Sequence, residues 1–154
     1  MNKTKIEWTD YTWNPVVGCS KISAGCRSCF AETLVNRFGK QWGMKNFNDV
    51  QMREDRLNQP IAMQNKLKGK KVFVCDMSDL FHEKVSDVFI IKVIQVIRQL
   101  PDTQFQILTK RIERFYYLIK NWELRLPRNL WVGISVENQD QFYKRFVFLK
   151  HIPA

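Results

Sequence analysis

The sequence predicts an α/β chain built on a parallel sheet, and three observations lead there. Short, β-rich apolar runs alternate with amphipathic helical patterns along most of the length. Each run is followed by a polar loop that carries reactive or charged side chains. The 154 residues, 45% hydrophobic and 26% charged, suit one domain, 1–154, with a substantial core.

Taken in order, Ile6–Trp8 is the first strand expected, and Cys29–Phe38 reads as a helix. Asp49–Met52 suggests a short strand with a helix, Asp55–Lys66, behind it; Pro60 belongs in that helix's first turns or marks its start. Lys71–Cys75 is apolar and β-rich, follows a Lys-Gly-Lys turn, and reads as a buried strand. From about Ser86 a helix carries Ile90, Val93, Ile94, Ile97 and Leu100 on one face until Pro101 stops it. Gln104–Leu108 is the next strand, and the helix after it aligns Ile112, Phe115, Leu118, Ile119 and Trp122. Leu130–Ile134 is the last strand. Asn138 is placed to cap a final helix with Phe142, Phe146 and Leu149 inward.

Such alternation implies right-handed crossovers, which bring the loops after the strands to one face, where ligands bind. The loops concerned hold Asp76 to His82, then Thr109, Lys110 and Arg111, then Ser135, Glu137 and Asn138. The loop after the first strand holds the strongest local signal. Cys19, Cys26 and Cys29 stand within eleven positions, with glycine before two of them. Three thiolates on one short loop suggest a common metal centre with an open coordination position. The fourth cysteine, Cys75, ends an apolar run and reads as a small buried hydrophobe.

Composition narrows the setting. No apolar run reaches the roughly 18–20 residues of a membrane span, and the first residues lack the apolar core of a signal peptide. A cytoplasmic protein with reduced thiols is the expectation. The net charge of +10, from 25 Lys+Arg against 15 Asp+Glu, favours an anionic partner such as a nucleic acid or nucleotide. Lys66, Lys68, Lys70 and Lys71 form a modest cluster.

Six segments occur in a telling order: Lys5-Ile6-Glu7-Trp8-Thr9, Thr12-Trp13-Asn14-Pro15, the three-cysteine loop, Met77-Ser78-Asp79-Leu80-Phe81-His82, Leu108-Thr109-Lys110-Arg111 and Ser135-Val136-Glu137-Asn138. Together they resemble the phage gene-product thirty-seven/sixty-eight family, itself similar to the radical S-adenosylmethionine enzymes. The resemblance implies an incomplete parallel (β/α) barrel of about four to five βα units, truncated at the C-terminus. It implies a [4Fe–4S] cluster on Cys19, Cys26 and Cys29, with S-adenosylmethionine chelating the fourth iron and yielding a 5′-deoxyadenosyl radical. Around the cofactor it implies Phe30 near the adenine, Ser78 and Asp79 at the amine or ribose, Lys110 or Arg111 at the carboxylate, and Ser135, Glu137 and Asn138 completing the pocket. A three-cysteine-motif partner protein belongs to the same expectation, and the unpaired outer edge of the Leu130–Ile134 strand predicts self-association. The spacing here is C-x6-C-x2-C, where those enzymes mostly have C-x3-C-x2-C. A rival reading is a zinc-stabilised nucleic-acid-binding module, with Cys19, Cys26, Cys29 and His82 as a Cys3His site.

Overall fold

Hydrophobic alternation decides which face of the sheet is packed. In a computed structural model, which describes residues 1–153, five strands join in one sheet. They are β1 (Asn2–Lys3), β2 (Tyr11–Trp13), β5 (Lys71–Val74), β6 (Gln104–Thr109) and β7 (Leu130–Ile134), in the order β1-β2-β5-β6-β7. β1 pairs antiparallel with β2, and every other neighbouring pair in this sheet is parallel. The intervening β3 (Val16–Val17) and β4 (Gln51–Met52) form a separate antiparallel ribbon.

Tyr11, Trp13, Val72, Val74, Phe105, Ile107 and Leu130 all lie on one face, and all are buried. Against that face lie α5 (Asp87–Arg98), through Ile90, Val93, Ile94 and Ile97, and α6 (Ile112–Trp122), through Phe115 and Leu118. Phe81 stacks on Phe115 with ring centroids 4.3 Å apart, fastening the loop after β5 to α6. Ser86 caps α5 by accepting from the Phe89 amide, and α5 ends just before Leu100 and Pro101, as the pattern predicts. The remaining helices are α1 (Phe30–Phe38), α7 (Gln139–Leu149) and three single turns, α2 (Glu54–Leu57), α3 (Gln59–Ala62) and α4 (Gln64–Leu67). No helix is long and apolar enough to cross a membrane among the described residues.

Four expectations change. Ile6–Trp8 is a reverse turn, with the Thr9 amide donating to the Ile6 carbonyl, inside the connection from β1 to β2; the first parallel strand is the Tyr-Thr-Trp run that follows. Asp49–Met52 shrinks to Gln51–Met52 and pairs with Val16–Val17 outside the main sheet. Asp55–Lys66 is three turns, broken at Asn58 and Met63; Pro60 brings no amide hydrogen to continue a helical ladder. The last helix turns a different face inward. Arg145 is buried with Phe148 and Leu149 partly covered, whereas Phe142 and Phe146 are exposed. The cause is a polar anchor, since the Arg145 guanidinium donates to the Ser135 carbonyl and to Glu137.

One glycine ties the ribbon to the sheet. Gly18 has φ +80, and a Cβ there would stand 2.4 Å from the Asp49 carbonyl oxygen. Its own carbonyl accepts from the Ser78 hydroxyl, and the next amide, Cys19, donates to Phe47 at 2.8 Å. Gly18→Ala therefore meets both a steric clash and a left-handed backbone. It should lower stability by about 2 kcal/mol or more, measured by urea unfolding; an unchanged midpoint would contradict this geometry.

Candidate functional site

The three-cysteine loop leaves the ribbon at Gly18 and runs over the carboxyl ends of β5 and β6. Cys26 closes a single helical turn, Ala24–Cys26, and Cys29 stands at the N-cap of α1. All three thiols are partly buried and line one cavity of about 210 Å³. Phe30, Ser78, Asp79, Lys110, Arg111 and Ser135 line it as well, so six of the eight expected cofactor residues gather there. The other two do different work. Asn138 caps α7, its side-chain oxygen accepting from the Gln141 amide at 2.9 Å. Glu137 accepts from the Gly25 amide at 3.3 Å and from Arg145 at 2.7 Å, pinning the cysteine loop to α7. A Cβ at Gly25 would stand 3.0 Å from the Glu137 side chain, a tight contact that the carboxylate could relieve only by shifting.

Beneath the loop sits a buried carboxylate. Asp79 accepts from the Thr109 hydroxyl at 2.7 and 2.9 Å, from the Phe81 amide at 3.0 Å and from the Lys110 amide at 3.1 Å. Arg111 adds a contact at 3.4 Å. The same guanidinium reaches Glu83, the Ser20 hydroxyl and carbonyl, and the Cys19 sulfur at 3.5 Å. Asp79 and Arg111 are thus fully engaged within the protein. Lys110 is different: its ammonium has no carboxylate within salt-bridge reach among the described residues, although it lines the thiol cavity.

The thiols differ electrostatically. Burial pushes Cys19 above the ordinary thiol pKa despite the opposing Arg111 charge. At Cys26 burial works upward too, but backbone donors at Ile22 and Ser23, the Ser23 hydroxyl and the Lys110 charge outweigh it, and the pKa falls. Cys75 forms part of the cavity wall from within the core; its burial drives its pKa strongly up. It also adopts φ +64 as the chain turns out of β5.

His82 is not among the residues lining this cavity. Its side chain is fully buried, Nδ1 accepts from the Lys84 amide at 3.1 Å, and Nε2 lies 2.8 Å from the Ser20 hydroxyl. Burial lowers its pKa, with the neighbouring Arg111 charge adding to the effect. Among the described residues no three His, Cys, Asp or Glu side chains converge closely enough to grip one metal ion.

Sequence reasoning missed Ser20, Phe73 and Leu108. Ser20 joins the Arg111 and His82 contacts, and its only sequence signal is its place beside Cys19. Phe73 and Leu108 form the apolar wall where the open sheet face meets the cavity. Period-two alternation would have found them, since both sit out of phase with the packed residues of β5 and β6.

Glu137 gives the site a pH signature. Against the pull of partial burial, the Arg145 hydrogen bond, the Ser23 hydroxyl and the Gly25 amide hold its pKa at about 2, below the ordinary 4.5. A depressed carboxylate contributes stability above its unfolded pKa and loses it as pH falls toward the folded value. Thermal melts should therefore lose stability between about pH 4.5 and 2 in part through this group, and Glu137→Gln should flatten that segment of the profile. Identical profiles for the two proteins would contradict the role given to Glu137. No curated protein sequence and no solved structure matches the chain. A family model does, over residues 3–154, under the description Protein of unknown function (DUF5131).

Proposed function

The chain belongs to the DUF5131 family, whose description names no activity, and we propose from the site that it is an iron–sulfur protein of the radical S-adenosylmethionine type. One observation carries the reading: three thiols from a single loop line one cavity beyond the ends of parallel strands. Zinc holds its sulfur ligands at about 2.3 Å and draws them together. A cluster is several ångströms across and takes thiolate ligands, so the donor type and the shared cavity suit Cys19, Cys26 and Cys29 as ligands of a [4Fe–4S] group. When bound, that group and S-adenosylmethionine would supply one-electron cleavage of a sulfonium and hydrogen abstraction from a substrate.

The chain's own residues then divide the remaining work. Lys110 is the cation available for the cofactor's carboxylate, whereas Arg111 is committed to Asp79, Glu83 and the cysteine loop. That reverses the preference for arginine that bidentate geometry alone suggests. Phe30, 64% exposed at the cavity, offers a face for the adenine. Ser78 and Ser135 provide polar lining, and Phe73 with Leu108 limits water on the apolar side. For the fold, we take the sheet as part of a (β/α) barrel. The sequential order of β2, β5, β6 and β7 and their uniform direction support this. The outer edge of β7 would receive a further strand or a partner chain.

Anaerobic reconstitution should yield about four irons and four sulfides per chain, with broad absorbance near ~400 nm. Cys19→Ala, Cys26→Ala and Cys29→Ala should each lose the cluster. Cys75→Ala should keep it and lose of order 1 kcal/mol of stability. Stoichiometric zinc without labile sulfide, or a cluster lost only from Cys75→Ala, would overturn the reading.

A further inference from the structure

The helices that form the core cover one face of the main sheet, and the other face carries a row of side chains that this packing does not use. Thr12, Phe73, Gln106 and Trp131 stand side by side in register across β2, β5, β6 and β7. Trp8, from the turn before β2, meets Phe73 edge to face at 4.8 Å. Trp8 is 42% exposed and Trp131 54% exposed, so two large indoles border an open apolar hollow of about 320 Å³. Gly133 keeps its floor low, because a Cβ there would stand 2.9 Å from a Leu108 methyl.

Within this hollow lies Gln106. Its Oε1 is buried and has no hydrogen-bond partner, the only side-chain N or O so situated among the described residues. A buried amide oxygen without a protein donor costs stability and calls for a donor from outside the chain, a ligand or a water. A carboxamide sets an acceptor beside a donor, which suits the hydrogen-bonding edge of a nucleobase. Next to the hollow, and sharing Trp131 with it, is a recess lined by Lys70, Lys71 and one carboxylate, Asp102. Lys71 has no carboxylate within salt-bridge reach among the described residues, and Lys70 reaches only Asp10 at 3.8 Å. Indoles, an unpaired amide and adjacent ammonium groups together make a stacking platform with an electrostatic rail.

We propose that this open face seats a base of a single-stranded nucleic acid, stacked on Trp131 and hydrogen-bonded to Gln106, with its phosphates over Lys70 and Lys71. The proposal supplies the substrate class for the iron–sulfur reading and rests on it for what happens next. Leu108 lines both the hollow and the thiol cavity, so a base held here borders the three-cysteine site. The net charge of +10 points the same way.

The test uses fluorescence anisotropy with labelled hexadeoxycytidylate, first on the thiol-reduced, metal-free chain and then on the reconstituted protein. The hexamer should bind both forms, and an abasic hexamer of equal charge should bind more weakly. Trp131→Ala should weaken the hexamer roughly fivefold or more without affecting the abasic strand. Gln106→Leu should fold at least as stably, having lost an unpartnered amide, while binding the hexamer less tightly. Lys70→Ala/Lys71→Ala should flatten the salt dependence. Equal affinity for the two hexamers, or affinities unchanged in both Trp131→Ala and Gln106→Leu, would overturn the proposal. Because the first titration needs no metal, a failure of cluster loading leaves its result intact. A loaded protein that ignores the hexamer would overturn the base seat alone.

Discussion

The carboxylate of Asp79 is where three separate loops are held in register. It is 6% exposed, and taking such a charge out of water is unfavourable unless donors surround it. Here the donors come from its own loop through the Phe81 amide and from the end of β6 through Thr109 and the Lys110 amide. The guanidinium of Arg111 completes the set and continues outward to Ser20 and Cys19. The position of the first thiol therefore depends on a carboxylate sixty residues away in sequence. Removing one member of such a buried pair leaves the other uncompensated, so both this network and the cysteine loop it supports would loosen together.

A second anchor holds the far end of that loop. Glu137 and Arg145 bind Gly25 to α7, and the same pair explains why α7 presents Phe142 and Phe146 to solvent. The three cysteines thus lie between two ion-paired supports. At Cys26, against its burial, the backbone at Ile22 and Ser23, the Ser23 hydroxyl and, least of these, the Lys110 charge ease the thiol toward its anion. Ligation by soft metals needs thiolates, so loading of the site would release thiol protons.

Much of this was legible in the sequence, and the failures have identifiable causes. β5, β6, β7, α5 and α6 combine strong periodicity with clear stops, and they lie where the pattern predicts. The short elements β1, β2 and β3 have two or three residues each, too few for any period to register. α7 misled because its aromatic spacing outweighed one arginine, yet a buried guanidinium with two acceptors fixed the helix's rotation. Arg111 could be placed at the site from sequence, but not its commitment to five protein contacts, since those partners come from two distant segments, Cys19–Ser20 and Asp79–Glu83. The three-cysteine loop was visible at once because its residue types are rare and close together. The open sheet face was legible only as the phase of Phe73, Gln106, Leu108 and Trp131 opposite to the packed residues, and that alternation does not say which side chains meet across strands.

The cluster proposed on the three thiols would leave one iron open to S-adenosylmethionine. Electron paramagnetic resonance on the anaerobically loaded, dithionite-reduced protein tests it directly. A reduced-cluster signal that shifts on adding S-adenosylmethionine, and that fails to shift when Lys110→Ala removes the available cation, is the result predicted. A signal indifferent to S-adenosylmethionine in the unaltered protein would contradict the account.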